Sequence, residues 1–391
     1  MGAQPEKDPK NMREALVDNW PWAIVSVLLA LRFLVLEFNP LIAAALFMLG
    51  AALILTQAYM TRKPMSEGIF AKIAAKVRKF SEAGWLYIII VAFFVLYMLF
   101  KNPLFGAVVG LGIVALVLAE VITGLFTGGL KKEIRETIVS LCIALFIWYG
   151  AAFLLGTPAP VNGIVSCSML PQLERGDFTI LQGGAVNTPT ISMSKAEFDS
   201  IGTAALVSYN GTDFRVNGSM FSYCTQNNDS RCRDFVYFPD QFSETNGVLK
   251  FQYASCERFY PKTGETLSQP CVSYVEYKGQ RTYENLSDDV VVYQPGPTDL
   301  NRRVGDIIHR AYLRINVEGK SYYLIKGDNN PIFDIQNYYY PLQEGNSLVS
   351  ESQLKGKVIF RVPILGYAKL FISGMVVEPE GCDSYYAKYR K

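Results

Sequence analysis

Nearly unbroken apolar stretches fill the first 156 residues of this 391-residue chain, at about 22–38, 41–60, 85–100, 103–126 and 137–156. Each approaches the roughly 20 residues that a helix needs to cross about 30 Å of hydrocarbon. Lipid offers the backbone no hydrogen-bond partner, so chain at that depth must be helical. The pattern predicts a five-span α-helical membrane region over 20–156. The first stretch does not read as a cleavable leader, because it carries Arg32 and Glu37, runs directly into the second at Asn39-Pro40 and lacks a small-residue cleavage site.

Basic residues set the expected orientation. The connection 61–84 holds Arg62, Lys63, Lys72, Lys76, Arg78 and Lys79, and the connection before the fifth stretch holds Lys131, Lys132 and Arg135. Both are expected in the cytoplasm, together with a tail at 1–19. Ile69, Phe70, Ile73, Val77 and Phe80 recur at helical spacing opposite the lysines, as in an amphipathic linker lying on the inner membrane surface. An odd number of spans then delivers 157–391 outside the cytoplasm, from a multi-pass protein of the cell membrane.

Past Gly156 the pattern changes to β-branched and aromatic runs broken by Gly, Asn, Asp and Pro, which predicts a mainly-β domain. Residues 157–391 hold 25 acidic and 23 basic side chains, so no nucleic-acid partner is implied. Cys224, Cys232, Cys256 and Cys271 cluster in one segment. In an oxidising compartment they are expected to form two disulfides, with neighbour pairing favoured among three connectivities. No Cys-x-x-Cys occurs and the single histidine lies elsewhere, so neither a metal nor any other cofactor is expected. Asn-x-Ser/Thr sequons at Asn210, Asn217, Asn228 and Asn285 fit an exposed surface.

Chemistry concentrates in three separated motifs. Twelve residues after Gly156 stands Ser166-Cys167-Ser168-Met169-Leu170-Pro171, followed by Gly176-Asp177 and the strand-like Phe178-Thr179-Ile180-Leu181. The only histidine, His309, stands in Ile307-Ile308-His309-Arg310. Lys326-Gly327-Asp328-Asn329-Asn330 follows, with a second acid at Asp334. In that order the motifs resemble type I signal peptidase, in the archaeal and endoplasmic-reticulum branch that pairs serine with histidine. A closing stretch, Lys355 to Pro363 with Gly366-Tyr367, resembles the family's last strands, and its apolar run is expected to form a strand pair resting on the outer leaflet. The likeness covers about 160–182 and 289–371.

The resemblance implies a membrane-bound serine endopeptidase that removes signal peptides from exported preproteins, with the export channel as a further partner and the lipid bilayer as its support. By the resemblance Ser168, the serine preceding Met169, is the expected nucleophile, and His309 is the base that a serine needs. Asp334 is the better candidate to orient the imidazole and Asp328 to hold the turn, with the exchange of these roles as the alternative. The backbone N–H of Ser168 and the hydroxyl of Ser166 are the oxyanion candidates. The chain departs from the family by placing Cys167 where glycine is usual, read as a small buried thiol, and by the long gap between Ser168 and His309. That gap predicts a disulfide-stapled β-rich insertion at 183–288 within a peptidase domain of 157–182 and 289–376, leaving a tail at 377–391. An inactive relative that binds partners through the insertion is the competing reading. Intramembrane aspartyl chemistry fails, because Asp177, Asp306 and Asp328 lie outside the apolar stretches.

Overall fold

The computed structural model describes residues 88, 92, 130–363, 366–372, 375, 377–379 and 381–389. Helix α1 (Leu130–Leu155) precedes strands β1 (Val161–Gly163), β2 (Phe178–Gln182) and β3 (Thr190–Ser192) and a short helix α2 (Lys195–Asp199). Next come β4 (Ala204–Tyr209), β5 (Thr212–Asn217), helices α3 (Met220–Cys224) and α4 (Ser230–Tyr237), then β6 (Phe242–Asn246), β7 (Leu249–Tyr260), β8 (Glu265–Tyr277) and β9 (Gln280–Tyr283). The chain continues through β10 (Val290–Tyr293), β11 (Ile307–Val317), β12 (Lys320–Lys326), β13 (Tyr338–Tyr339), β14 (Glu344–Gly345), β15 (Val349–Ser350), β16 (Leu354–Val362), helix α5 (Tyr367–Ile372) and β17 (Tyr385–Tyr386).

The five-span expectation is corrected. Among the described residues, only the Ile138–Leu155 part of α1 is long and apolar enough to cross a membrane. The stretches 22–38, 41–60 and 103–126, the linker 61–84 and the tail 1–19 lie outside the described residues, as does 85–100 apart from helical Ile88 and Ala92. Among the described residues the fold is one long apolar helix joined to a mainly-β domain. The physical reason is that an apolar run fixes length and composition only, and many arrangements share both. The helix also starts earlier than expected, so Lys131, Lys132 and Arg135 belong to its first turns rather than to a connecting loop. None of its apolar window is buried, and Phe153 and Leu154 are 86% and 82% exposed, a surface compatible with membrane association.

The chain divides into two units, Met1–Phe146 with Lys369–Val377 and Ile147–Ala368 with Glu378–Lys391. The second contains two large sheets and the two-stranded pair β13-β14. One runs β1-β2-β16-β10-β11-β12-β15, with β3 parallel to the far half of β11; the other runs β5-β4-β6-β7-β8-β9, with β17 on β7. The expected insertion boundaries are therefore corrected: β3, at 190–192, belongs to the first sheet, and the second sheet occupies 204–283. Nor is that sheet a separate module. Val207, Phe242, Phe251 and Val275 from it share one hydrophobic core with Tyr312, Ile315, Leu324 and Phe333 of the first. With apolar partners on both sides, β11 is buried almost throughout, unlike a strand that faces water on one side.

Local chemistry explains further differences. Asn210 and Gly211 take positive φ, 48° and 75°, and turn β4 into β5, the two-residue hairpin such a pair favours. Asn217-Gly218, a second such pair, instead ends β5 and leads to Ser219, which caps α3. Gly218 is required there because a Cβ would stand 2.3 Å from that of Tyr338. Phe235-Val236-Tyr237, strand-like by composition, instead lies in helix α4, started by Asp229, whose side chain accepts from the Cys232 N–H. Finally, the strand pair expected over 358–377 is β16 followed by helix α5.

Disulfides join Cys224 to Cys232, Cys256 to Cys271 and Cys167 to Cys382. The first two are the neighbour pairs. The third corrects the reading of Cys167 as a thiol and of 377–391 as a tail, since that segment also contributes β17. Cys142 is the free thiol among the described cysteines. Alkylation of the denatured, unreduced protein should modify Cys142 alone, with peptide mapping recovering three crosslinked pairs. Alkylation at Cys167 or Cys382 without reductant would contradict the third pair.

Candidate active site

Each chemical group is placed by the edge or end of a strand. Ser168 follows β1 in a turn closed by the Leu170 N–H donating to Cys167 O, 3.2 Å. His309 lies on β11 opposite Val291 of β10. Asp334 opens a 3-10 turn beyond β12. Their separation along the chain disappears in space: His309 Nε2 is 2.9 Å from Ser168 Oγ, and His309 Nδ1 is 2.7 Å from Asp334 Oδ2.

Asp334 takes the orienting position, so of the two candidate acids it is the one at the imidazole. Asp328 grips Arg310 instead, with Nε donating to Oδ1 at 2.8 Å and Nη2 to Oδ2 at 2.7 Å. Strand alternation explains the division, because successive side chains of β11 point to opposite faces and His309 and Arg310 are neighbours. Arg310 also donates to the carbonyls of Leu286 and Asp288, which completes its hydrogen bonding in a site where it is only 5% exposed.

Tyr293 was not among the expected residues, yet its hydroxyl donates to Asp334 Oδ2 at 2.7 Å. Burial and then the Asp334 carboxylate push the phenol's pKa up and keep it a donor. Its signal was available: Tyr293 follows Val291 by two residues on β10, which puts it on the same face as the position opposite His309. With two donors on one oxygen, Asp334 fixes the ring with its proton on Nδ1 and the Nε2 lone pair toward Ser168. A hydroxyl so placed can surrender its proton as it attacks a carbonyl.

The oxyanion candidates are also at hand. Ser166 is exposed and its Oγ is 3.2 Å from Ser168 Oγ. Among the described residues none accepts from the Ser168 backbone N–H, which leaves it available to a developing oxyanion. Another buried cation, Lys326, is held elsewhere. Its ammonium is 3.2 Å from Glu284 Oε2, and burial lowers its pKa against the pull of that carboxylate. Ser168 Oγ meets His309 and Ser166, not Lys326, so the geometry favours an imidazole base.

Two further groups support the site from outside it. Asn329 donates its backbone N–H to Ser168 O at 2.7 Å and its side-chain amide to Cys167 O at 3.1 Å. Gly327 must be small, since a Cβ there would lie 2.7 Å from the same Ser168 carbonyl. Behind Asp334, the Gln336 amide donates to Glu244 Oε1 of β6 at 2.9 Å, while Tyr253 Oη and the Met220 N–H donate to Oε2 at 2.7 and 3.1 Å. Neither Asn329 nor Glu244 was legible as a support, because each acts across a gap in sequence that only the sheet register closes.

Burial raises the Glu244 carboxyl to about 7 despite these donors. Between its ordinary value of 4.5 and about 7 the folded protein keeps a proton that the unfolded chain has released. This contribution to stability is complete below 4.5 and is lost as pH rises through 7, a change of about 3 kcal/mol. Urea unfolding of wild type and Glu244→Gln across this window should show the decline in the wild type and its absence in the variant. Parallel curves would remove Glu244 as the titrating group.

No protein-family model matches this chain, and a search of curated proteins finds no match either.

Proposed function

We propose that the protein is a membrane-associated serine endopeptidase of the signal-peptidase type, removing signal peptides from exported preproteins outside the cytoplasm. The observation that carries the reading is the contact series from Ser168 Oγ through His309 to Asp334, at 2.9 and 2.7 Å, assembled from residues far apart in the chain. A histidine oriented by a buried acid and aimed at a serine hydroxyl has the geometry of acyl transfer. In this reading Ser168 attacks the scissile carbonyl, His309 takes the proton and returns it to the leaving amine, and Asp334 steadies the imidazolium. The Ser168 N–H and the Ser166 hydroxyl receive the negative charge on oxygen.

Two observations support the location and substrate. Three disulfides suit an oxidising compartment. Only twelve residues separate the end of the apolar helix from Ser168, a tether that keeps the hydroxyl within reach of a peptide emerging from a bilayer. The substrate would be an extended segment with small side chains ahead of the cut, delivered by the export channel. The test is incubation of the purified full chain in detergent with a preprotein carrying an Ala-x-Ala site, followed by sequencing of the product's new N-terminus. Cleavage directly after that site is expected; an intact preprotein would overturn the reading and leave the inactive-relative alternative.

A further inference from the structure

We propose that the Cys167–Cys382 disulfide and Asn329 together position Ser168, bracing the nucleophile's peptide against a segment that the second sheet holds in place. The inference rests on the reading of Ser168 as a nucleophile. It goes beyond that reading by giving the cysteine at the glycine-like position, the last described segment and the second sheet one shared task.

The residue bonded to Cys382 is the one directly before Ser168, with Cα atoms 5.1 Å apart across 215 positions of sequence. Both carbonyls on that stretch are fixed from the same side. Asn329 donates its side-chain amide to Cys167 O at 3.1 Å and its backbone N–H to Ser168 O at 2.7 Å. The same amide reaches Ser384 O at 3.0 Å and Gly381 O at 3.3 Å, on either side of Cys382. A primary amide has two hydrogens, so one can serve the Cys167 side and the other the 381–384 side. The disulfide and Asn329 therefore tie the same two stretches of chain together, one by a covalent bond and one by hydrogen bonds.

A brace must itself be anchored. Tyr385 and Tyr386 pair as β17 with Phe259 and Arg258 of β7, and Arg258 Nε donates to Ser384 Oγ at 2.9 Å. Tyr386 is 2% exposed and packs with Cys256 and Cys271. Beyond it, Lys388 Nζ meets Glu284 Oε2 at 2.6 Å. Segment 381–388 is thus fastened to the second sheet by strand pairing, a buried ring and an ion pair, and it passes that rigidity to Cys167. Cys167 is buried, and the Glu378 carboxylate lies within 4.8 Å of both sulfurs, where its charge repels an approaching thiolate.

Misplacing a reacting atom by about 1 Å can cost on the order of 100-fold in rate. Cys167→Ser with Cys382→Ser, measured on the full chain in detergent, should lower kcat by about 30-fold with KM within about twofold of wild type. Cys224→Ser with Cys232→Ser removes the disulfide between helices α3 and α4, remote in sequence from the nucleophile, and should keep kcat within about threefold. Wild-type kcat in the first variant, or an equal fall in both, would overturn the brace. Should wild type cleave nothing, the proposed function fails by itself, and the brace is then read by hydrogen exchange. The Leu170 and Asn329 amides, whose acceptors are the two braced carbonyls, should exchange at least about 10-fold faster in the first variant than in the second; equal exchange would overturn it.

Discussion

Ser168→Ala and His309→Asn are each expected to lower kcat by at least about 10⁴-fold, and the double variant is expected to fall no further than the worse single one. The argument is that neither group has value alone. An alanine leaves the imidazole nothing to deprotonate, and an asparagine leaves a hydroxyl that is a poor nucleophile at neutral pH. What survives is the contribution of substrate binding and of the oxyanion donors, which both substitutions leave in place, so the losses overlap instead of multiplying. Ser168→Ala removes one oxygen from a half-buried position and asks little of the fold. His309→Asn leaves a polar group able to meet Asp334 Oδ2, which also keeps the Tyr293 hydroxyl as a donor. Steady-state cleavage of a preprotein, with circular dichroism to verify folding, measures all three variants. Losses that multiply would show that the two side chains act in separate steps, and undiminished cleavage by Ser168→Ala would dismiss the nucleophile.

The parts of this site that were legible in the sequence are those whose meaning is local. Ser168 was visible because a particular order of small residues surrounds it, and His309 because it is the only histidine and stands in a strand-like run. Asp334 was already preferred over Asp328 by the resemblance, but the physical reason that it meets the imidazole lies in which face of β11 carries the ring. That face depends on register, and register is a property of neighbouring strands. Asn329 and Cys382 were hidden for the same reason, and the signal of Tyr293 could be read only once β10 is paired with β11. Each acts on a residue more than 40 positions away in sequence, across pairings that no local pattern encodes.

The β-rich character of 157–391 and two of the disulfide pairs were legible from residue type and spacing, whereas the boundaries of the inserted sheet were not. Its apolar faces look like those of a self-contained sandwich until the shared core with β11 and β12 is seen. Apolar runs predicted five spans, and the described residues contain one. Hydropathy measures only what a segment would tolerate, not the structure that it forms.

The clearest separation of stability from chemistry should come from the two acids. Asp328→Asn is expected to destabilise the folded chain by about 3–5 kcal/mol while the remaining folded molecules cleave at close to the wild-type rate. Asp328 is 1% exposed and meets Arg310 through two hydrogen bonds, so neutralising it strands a guanidinium that cannot lose its charge. Lys326, opposite Arg310 in the β11–β12 register and likewise buried, adds like charge nearby, and Glu284 offsets only its own partner. Against a typical domain stability of about 5–15 kcal/mol, such a loss brings the protein close to unfolding at ordinary temperature. Adding Arg310→Met should recover part of the loss, since the stranded guanidinium is then gone, but the Leu286 and Asp288 carbonyls lose their donor and the buried Asp288 carboxylate loses its neighbouring cation, which limits the gain. Asp334→Asn should behave in the opposite way, with a modest change in stability and a large fall in kcat, because the amide can present its NH₂ to the imidazole and favour the wrong tautomer. Denaturant unfolding alongside kcat per folded molecule reads both variants. An Asp328→Asn protein as stable as wild type but slow in cleavage would move Asp328 into the chemistry and displace the assignment made from β11.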